Sequence, residues 1–365
     1  MIYKTVSILF FSLSFVALNA QHTTVPVTKV DDYIKKQMQD NHIPGLSIAV
    51  VWDGKVILNK GYGQSNLELS TPVTSNSVFA IYSITKTFTA VATMMLVEEG
   101  KVSLEDPVTK HIPGLPDTWR KINIRHLLTH TSGLIDICDV SPDPCHTSRD
   151  YTQQEIVKLV TDSLLKFVPG EKWEYSNIGY FLLGMLIEKK SGMSYGNFLR
   201  ERIFMPLNMQ HTMLQDYSKV IPNRVNGYTW TKDGYRNSLQ VSPTLSFSLA
   251  GLVSTVLDLA KYDAALYTEK LFKRSTLEQM WTRIFLNNGQ IVDHGLGFGM
   301  TPFRGHRRVG HSGGHTGFAT TITRLVDDKI TVIIFTNADS DGYKSKNGFL
   351  ISDIANEIAS FYFNK

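Results

Sequence analysis

The 365-residue sequence is short of several things, and each shortage narrows what the chain can be. Two cysteines are too few for a scaffold built on disulfides. Charge is nearly balanced, with 37 basic against 33 acidic residues and a net charge of +4. Lys and Arg occur mostly as singles or pairs, without a basic helix or an aromatic-interleaved patch, so no nucleic-acid partner is expected. Residues 304–308 (RGHRR) form one local cluster, which reads as a solvated turn. There is no low-complexity tract and no internal repeat, and beyond the first twenty residues no apolar run reaches membrane-spanning length.

With 42% hydrophobic residues, the chain can bury a sizeable core, as one large domain or two ordinary ones. Met1 to Lys4 carry one positive charge, Thr5 to Leu18 are largely apolar, and Asn19-Ala20 end in a small residue. This pattern predicts a signal peptide over residues 1–20 and export to the periplasm or the medium, leaving 21–365 as a single domain. In an oxidising compartment Cys138 and Cys145, seven apart in CDVSPDPC, are expected to pair. Closing so short a loop would stabilise by about 2–3 kcal/mol.

Two β-rich runs flank Asp53-Gly54, a strong hairpin signal, and a second pair flanks Asp327-Asp328. An amphipathic helix is expected over 347–362, and another over 30–41. Helical patterns fill the middle, at 83–99, 124–129, 153–165, 178–190, 195–204 and 255–267. The reading is an α/β (α+β) fold: an antiparallel sheet from both chain ends (about 21–82 and 295–365), flanked by helices, with a mostly helical region (about 83–294) inserted.

Three short motifs carry chemistry. Ser83 and Lys86 lie one helical turn apart, so their side chains share a face. A serine hydroxyl needs a base, and a lysine whose pKa is lowered by burial can serve. At a helix start the N-terminal partial charge also favours an oxyanion. Ser163 and Lys166 repeat the spacing, but the expected helix puts them in its middle, with Lys166 reaching solvent. The second motif is Tyr175-Ser176-Asn177 at a loop-to-helix junction, where Tyr could relay protons and Asn hold a substrate amide. Tyr-x-Asn recurs at Tyr195, Tyr235 and Tyr362, where core packing is the simpler reading. The third is His311-Ser312-Gly313-Gly314, ahead of the second hairpin, where small residues on an edge strand admit a substrate backbone. Lys190-Ser191-Gly192 instead closes a helix, and His315-Thr316-Gly317 is a shifted near copy. His126 and His130 could share a helix face, but the zincin Glu is missing. No metal and no cofactor are expected.

In this order the three motifs resemble the active-site motifs of the serine β-lactamase-related superfamily. The group of class C β-lactamases, D,D-carboxypeptidases and penicillin-binding esterases is the most similar. VSLEDPVTKHIPGLP, INIRHLLTHTSGL, PGEKWEYSNIGYFLLG, IFMPLNM and AGLVSTVLDLAKY extend the resemblance over about 30–360. It implies Ser83 as nucleophile, with Lys86 and Tyr175 as a coupled base. It also implies Asn177, His311, Ser312 and Gly313 as substrate contacts, and the N–H groups of Ser83 and Gly314 as the oxyanion hole. The substrate would be a small-molecule or peptide acyl donor: an ester, a D-amino-acid amide or a β-lactam. His311 stands where class C β-lactamases carry Lys, and a neutral imidazole anchors a carboxylate weakly. That favours an esterase or D,D-peptidase-like serine hydrolase over a dedicated β-lactamase. The alternative is a non-catalytic penicillin-binding or receptor-like protein, which would have no need of Lys86. The Cys138–Cys145 loop is expected to border the site entrance.

Overall fold

The computed structural model describes residues 27–140, 148–339, 344–345 and 348–363. The expected signal peptide, Cys145 and hence the Cys138–Cys145 pairing lie outside the described residues.

The sheet-forming segments are β1 (Gly45–Trp52), β2 (Lys55–Asn66), β3 (Thr71–Pro72), β4 (Arg308–His315), β5 (Phe318–Leu325) and β6 (Ile330–Thr336). They pair antiparallel in the order β4-β5-β6-β1-β2-β3. Both ends of the chain therefore meet at the centre of one sheet, with Leu46 of β1 opposite Thr336 of β6. The β1–β2 turn works because Asp53 and Gly54 take φ of 47° and 74°, the left-handed region a tight hairpin requires.

β1 reads GLSIAVVW, an apolar run suited to a strand covered on both faces. Leu46, Ile48 and Val50 pack with Val30 and Ile34 of α1 (Val27–Asp40) on one face. The C-terminal helix α6 (Leu350–Ser360) adds Ile351, Ile354 and Ile358 to the same layer. Ala49 and Val51 turn the other way, into the larger core. Burying each large aliphatic side chain contributes about 1.5–3 kcal/mol, which is what fixes the register.

The larger core is built on α2 (Thr85–Glu98), α3 (Asn177–Ser191), α4 (Pro243–Ala250) and α5 (Val256–Leu266). Every α2 residue from Thr85 to Leu96 is buried. A helix without a polar face belongs inside a protein, and α2 accordingly packs between α3 and α4. Gly100, with φ of 69°, ends it. Among the described residues no helix is long and apolar enough to cross a membrane.

Two local expectations are corrected. The helix expected over 153–165 ends at Thr161, because the N–H of Lys166 bonds the Gly133 carbonyl (2.8 Å) instead of a preceding turn. Ser163 and Lys166 therefore lie beyond the helix, not within it. Tyr235 is 38% exposed, on a small hairpin against Trp230, and not in the core. Tyr195 is fully buried, its hydroxyl 2.7 Å from Thr89 Oγ1, and Tyr362 is half-buried.

Candidate active site

Ser83 sits in a 3-10 turn, Tyr82–Ile84, that runs directly into α2. The turn is tight: Tyr82 has φ of 42°, unusual for a bulky residue. α2 carries Lys86 into the protein, where its side chain has no solvent exposure. The Lys86 Nζ lies 3.2 Å from Ser83 Oγ, 2.8 Å from Asn177 Oδ1 and 2.9 Å from the Leu249 carbonyl oxygen. None of these partners is charged. Burial therefore dominates and lowers the Lys86 pKa to about 7, against a smaller upward pull from Asp136. A neutral amine has two N–H donors and one lone pair. With the Asn177 and Leu249 oxygens taking both donors, the lone pair is left for Ser83.

Tyr175 and Asn177 are set by the turn into α3. Ser176 caps that helix, its Oγ accepting from the Gly179 N–H. The HTSGL stretch holds the turn from behind. The Glu174 N–H donates to the His130 carbonyl (2.9 Å), and the Ser176 N–H donates to His130 Nδ1 (3.0 Å). The His130 ring stacks on Tyr175 at 4.4 Å. The Tyr175 hydroxyl bonds Ser83, and burial raises its pKa, so it remains a phenol at neutral pH. Lys86 Nζ lies 4.8 Å from the Tyr175 ring centroid.

β4 forms the facing wall and the open edge of the sheet. The Gly310 N–H and C=O pair outward with Gly299 (3.0 and 2.9 Å). Strand alternation gives Ser312 and Gly314 the same outward orientation. A Cβ on Gly313 would stand 2.2 Å from the Ile81 oxygen and 2.9 Å from Ser83 N. Only glycine therefore lets the strand approach Ser83 so closely. Ser312, expected as a substrate contact, lines the site from the α6 side of the strand, its Oγ 2.5 Å from Ser352 Oγ of α6.

His311 Nδ1 lies 2.7 Å from the Ser312 carbonyl oxygen. This assigns the ring proton to Nδ1 and leaves Nε2 as an acceptor. Burial, reinforced by Lys86, lowers its pKa to about 3. His294 is lowered to about 4, and His130 well below the usual value, both chiefly by burial.

The three motifs converge on one cavity of about 790 Å³, lined by Ser83, Tyr175, Asn177, His311 and Gly314 and bordered by Cys138. His294, Trp173 and Leu249 line it too and were not anticipated. Nor was Asp136, a buried carboxylate that accepts from the Asn177 N–H and, at 3.1 Å, from the Cys138 N–H. Its only sequence signal was an acid inside the apolar stretch LIDIC. Of the decoys, Lys166 pairs with Asp139 (2.6 Å) and with Glu174. Gly192 caps α3 in the left-handed region. His126 exchanges hydrogen bonds with Asn123 at a helix start, so it shares no site with His130. No group of side chains able to hold a metal occurs among the described residues.

The Beta-lactamase family model matches residues 30–356. A penicillin-binding protein of Bacillus subtilis (strain 168) is 32% identical over 305 residues, 79% of this chain and 67% of that protein. Other curated relatives match over 204 residues, and the chain spans only 41% of their length. Among solved structures, an octameric penicillin-binding protein homologue from Pyrococcus abyssi superposes with a TM-score of 0.80 at 32% identity, covering 92% of this chain and 77% of that one. D-amino acid amidase from Ochrobactrum anthropi SV3 also gives 0.80, at 25% identity, covering 91% and 98%. These likenesses support a function of serine-hydrolase type. On this extent of match, the chain belongs to the Beta-lactamase family.

Proposed function

We propose that the protein hydrolyses an ester or a D-amino-acid amide through an acyl-enzyme on Ser83. The observation that carries this is the buried Lys86 amine, 3.2 Å from Ser83 Oγ and lowered to about 7 with only neutral partners in contact.

Ser83 Oγ attacks the carbonyl carbon while its proton passes to Lys86 Nζ. The N–H groups of Ser83 and Gly314 hold the resulting oxyanion. As the tetrahedral intermediate collapses, the proton reaches the departing oxygen or nitrogen through the Tyr175 hydroxyl. Water then attacks the ester on Ser83 by the reverse relay, freeing the acid and restoring the serine. Tyr175 serves as a relay and not as a standing phenolate, because burial keeps it protonated.

Neutral His311 supports an amide or ester over a β-lactam. It offers a lone pair to a substrate N–H or O–H and no charge to a carboxylate. The likeness to a D-amino acid amidase points the same way. The apolar start of the sequence supports export, which fractionation of the producing cell would check.

The test is a screen against short-chain nitrophenyl esters, D-amino-acid amides and nitrocefin, with mass spectrometry after a fluorophosphonate or penicillin probe. Ester or amide turnover with a probe adduct on Ser83 is expected, both lost in Ser83→Ala. Wild-type rates in Ser83→Ala would overturn the assignment.

A further inference from the structure

The cavity does not stop at the nucleophile. It passes around the edge of β4 into a second lobe against α6, lined by Arg308, Ser312, Thr321, Ser352, Asp353 and Asn356. Nothing in the acyl-transfer chemistry uses these residues. Arg308 and Ser312 lie four residues apart on the same face of β4, about 13 Å along the strand. The Arg308 end of the lobe is therefore the end farther along the strand from Gly313 and Ser83.

Four features give the lobe its chemistry. Arg308 Nε is tied to the Thr301 carbonyl (2.9 Å). Its guanidinium feels Asp353 and Asp293 through space, but it forms no ion pair among the described residues. Asp293 is taken by Arg283 at 3.3 Å. On α6, Glu357 is taken by Arg304 at 2.7 Å, whereas Asp353 has no ion-pair partner among the described residues. Finally, Asn356 is 95% buried, with its Oδ1 unpartnered. Ser312, Ser352 and Thr321 supply a floor of linked hydroxyls (2.5 and 3.2 Å), each able to donate or accept.

Opposite charges held apart across one cavity, with amide and hydroxyl groups between them, match a ligand that carries both charges itself. We propose that this lobe binds a zwitterionic amino-acid head, its carboxylate on Arg308 and its ammonium on Asp353. A guanidinium takes a carboxylate through two parallel hydrogen bonds. Asn356 and the hydroxyls orient the head. This deepens the hydrolase reading, since the head would belong to the same acyl substrate, and it specifies a substrate ending in a free amino acid.

Calorimetric titration of the full-length Ser83→Ala protein tests this without turnover. The probes are D-alanine, N-acetyl-D-alanine, which lacks the ammonium, and D-alaninamide, which lacks the carboxylate. D-Alanine is expected to bind at least about tenfold more tightly than either derivative, the value of one well-placed charged contact. Adding Arg308→Gln should abolish the preference over D-alaninamide, and Arg308→Lys should retain part of it. Adding Asp353→Asn should abolish the preference over N-acetyl-D-alanine. Equal binding of the three probes overturns the proposal, as does an undiminished preference in variants with unchanged melting temperature. Selective binding by a wild-type protein that hydrolyses nothing would instead overturn the hydrolase reading alone.

Discussion

Ser83 with Lys86, and Ser163 with Lys166, are the same four-residue pattern in one chain, and the fold treats them oppositely. Lys86 lies on a helix buried all round and touches a hydroxyl, an amide oxygen and a peptide oxygen. Lys166 lies in a partly exposed loop between the carboxylates of Asp139 and Glu174. Burial lowers one amine to about 7, while hydrogen bonds to the two acids raise the other. A lysine paired with carboxylates keeps its proton. A buried lysine among neutral acceptors can release it, and only the second can act as a base at neutral pH. Arg324 shows another way to bury a cationic side chain: it is fully buried, with its Nε bonded to the carboxylate of Asp263.

The largest effect should come from removing Lys86. Lys86→Met is expected to lower kcat/KM for a nitrophenyl ester by about a thousandfold, with the fold intact by circular dichroism. An effect under tenfold would erase the distinction between the copies.

Close approach of β4 to Ser83 is the next point of attack. Gly313→Ala puts a methyl 2.2 Å from the Ile81 oxygen, so the strand must retreat. Displacing oxyanion donors by an ångström should cost about a hundredfold in kcat, with KM changing less. Unchanged kcat would mean that β4 does not hold the oxyanion.

A smaller effect is expected from the field around Lys86. With its pKa near 7, kcat/KM should rise with pH through about 7 as the amine loses its proton. Asp136 pulls that value upward. In Asp136→Asn the rising limb should therefore move to lower pH, by about one unit or less. A shift to higher pH would contradict this placement of the charge.

Lys166→Met should do least: kcat/KM within about twofold of wild type and stability within about 0.5 kcal/mol, by steady-state kinetics and urea melts. A loss comparable to that of Lys86→Met would mean that the loop copy takes part in the site.

Much of the framework was legible because its signals are local. The Asp53-Gly54 hairpin, the run at β1 and the apolar-rich α2 each state their place in consecutive residues. The helix expected to run to Leu165 failed because the Lys166 N–H is drawn to Gly133, more than thirty residues away in sequence. Asp136, His294 and the Leu249 carbonyl escaped notice for the same reason. Each meets the neighbourhood of Ser83 only through packing, and none belongs to a motif. Ser312 lines the cavity as well, but strand alternation puts its side chain on the α6 side of β4, a side its motif did not specify.

By itself the sequence determined which residues could do chemistry: a hydroxyl and an amine one turn apart, a tyrosine before a helix, glycines on a strand. It also determined the fold class, through patterns of period two and of helical spacing. The helix-start position and the two partner motifs already pointed to Ser83 over Ser163, but only the tertiary structure decided the surroundings of each lysine. A lysine's pKa is set by desolvation and by the charges around it, and those are supplied by segments far apart along the chain.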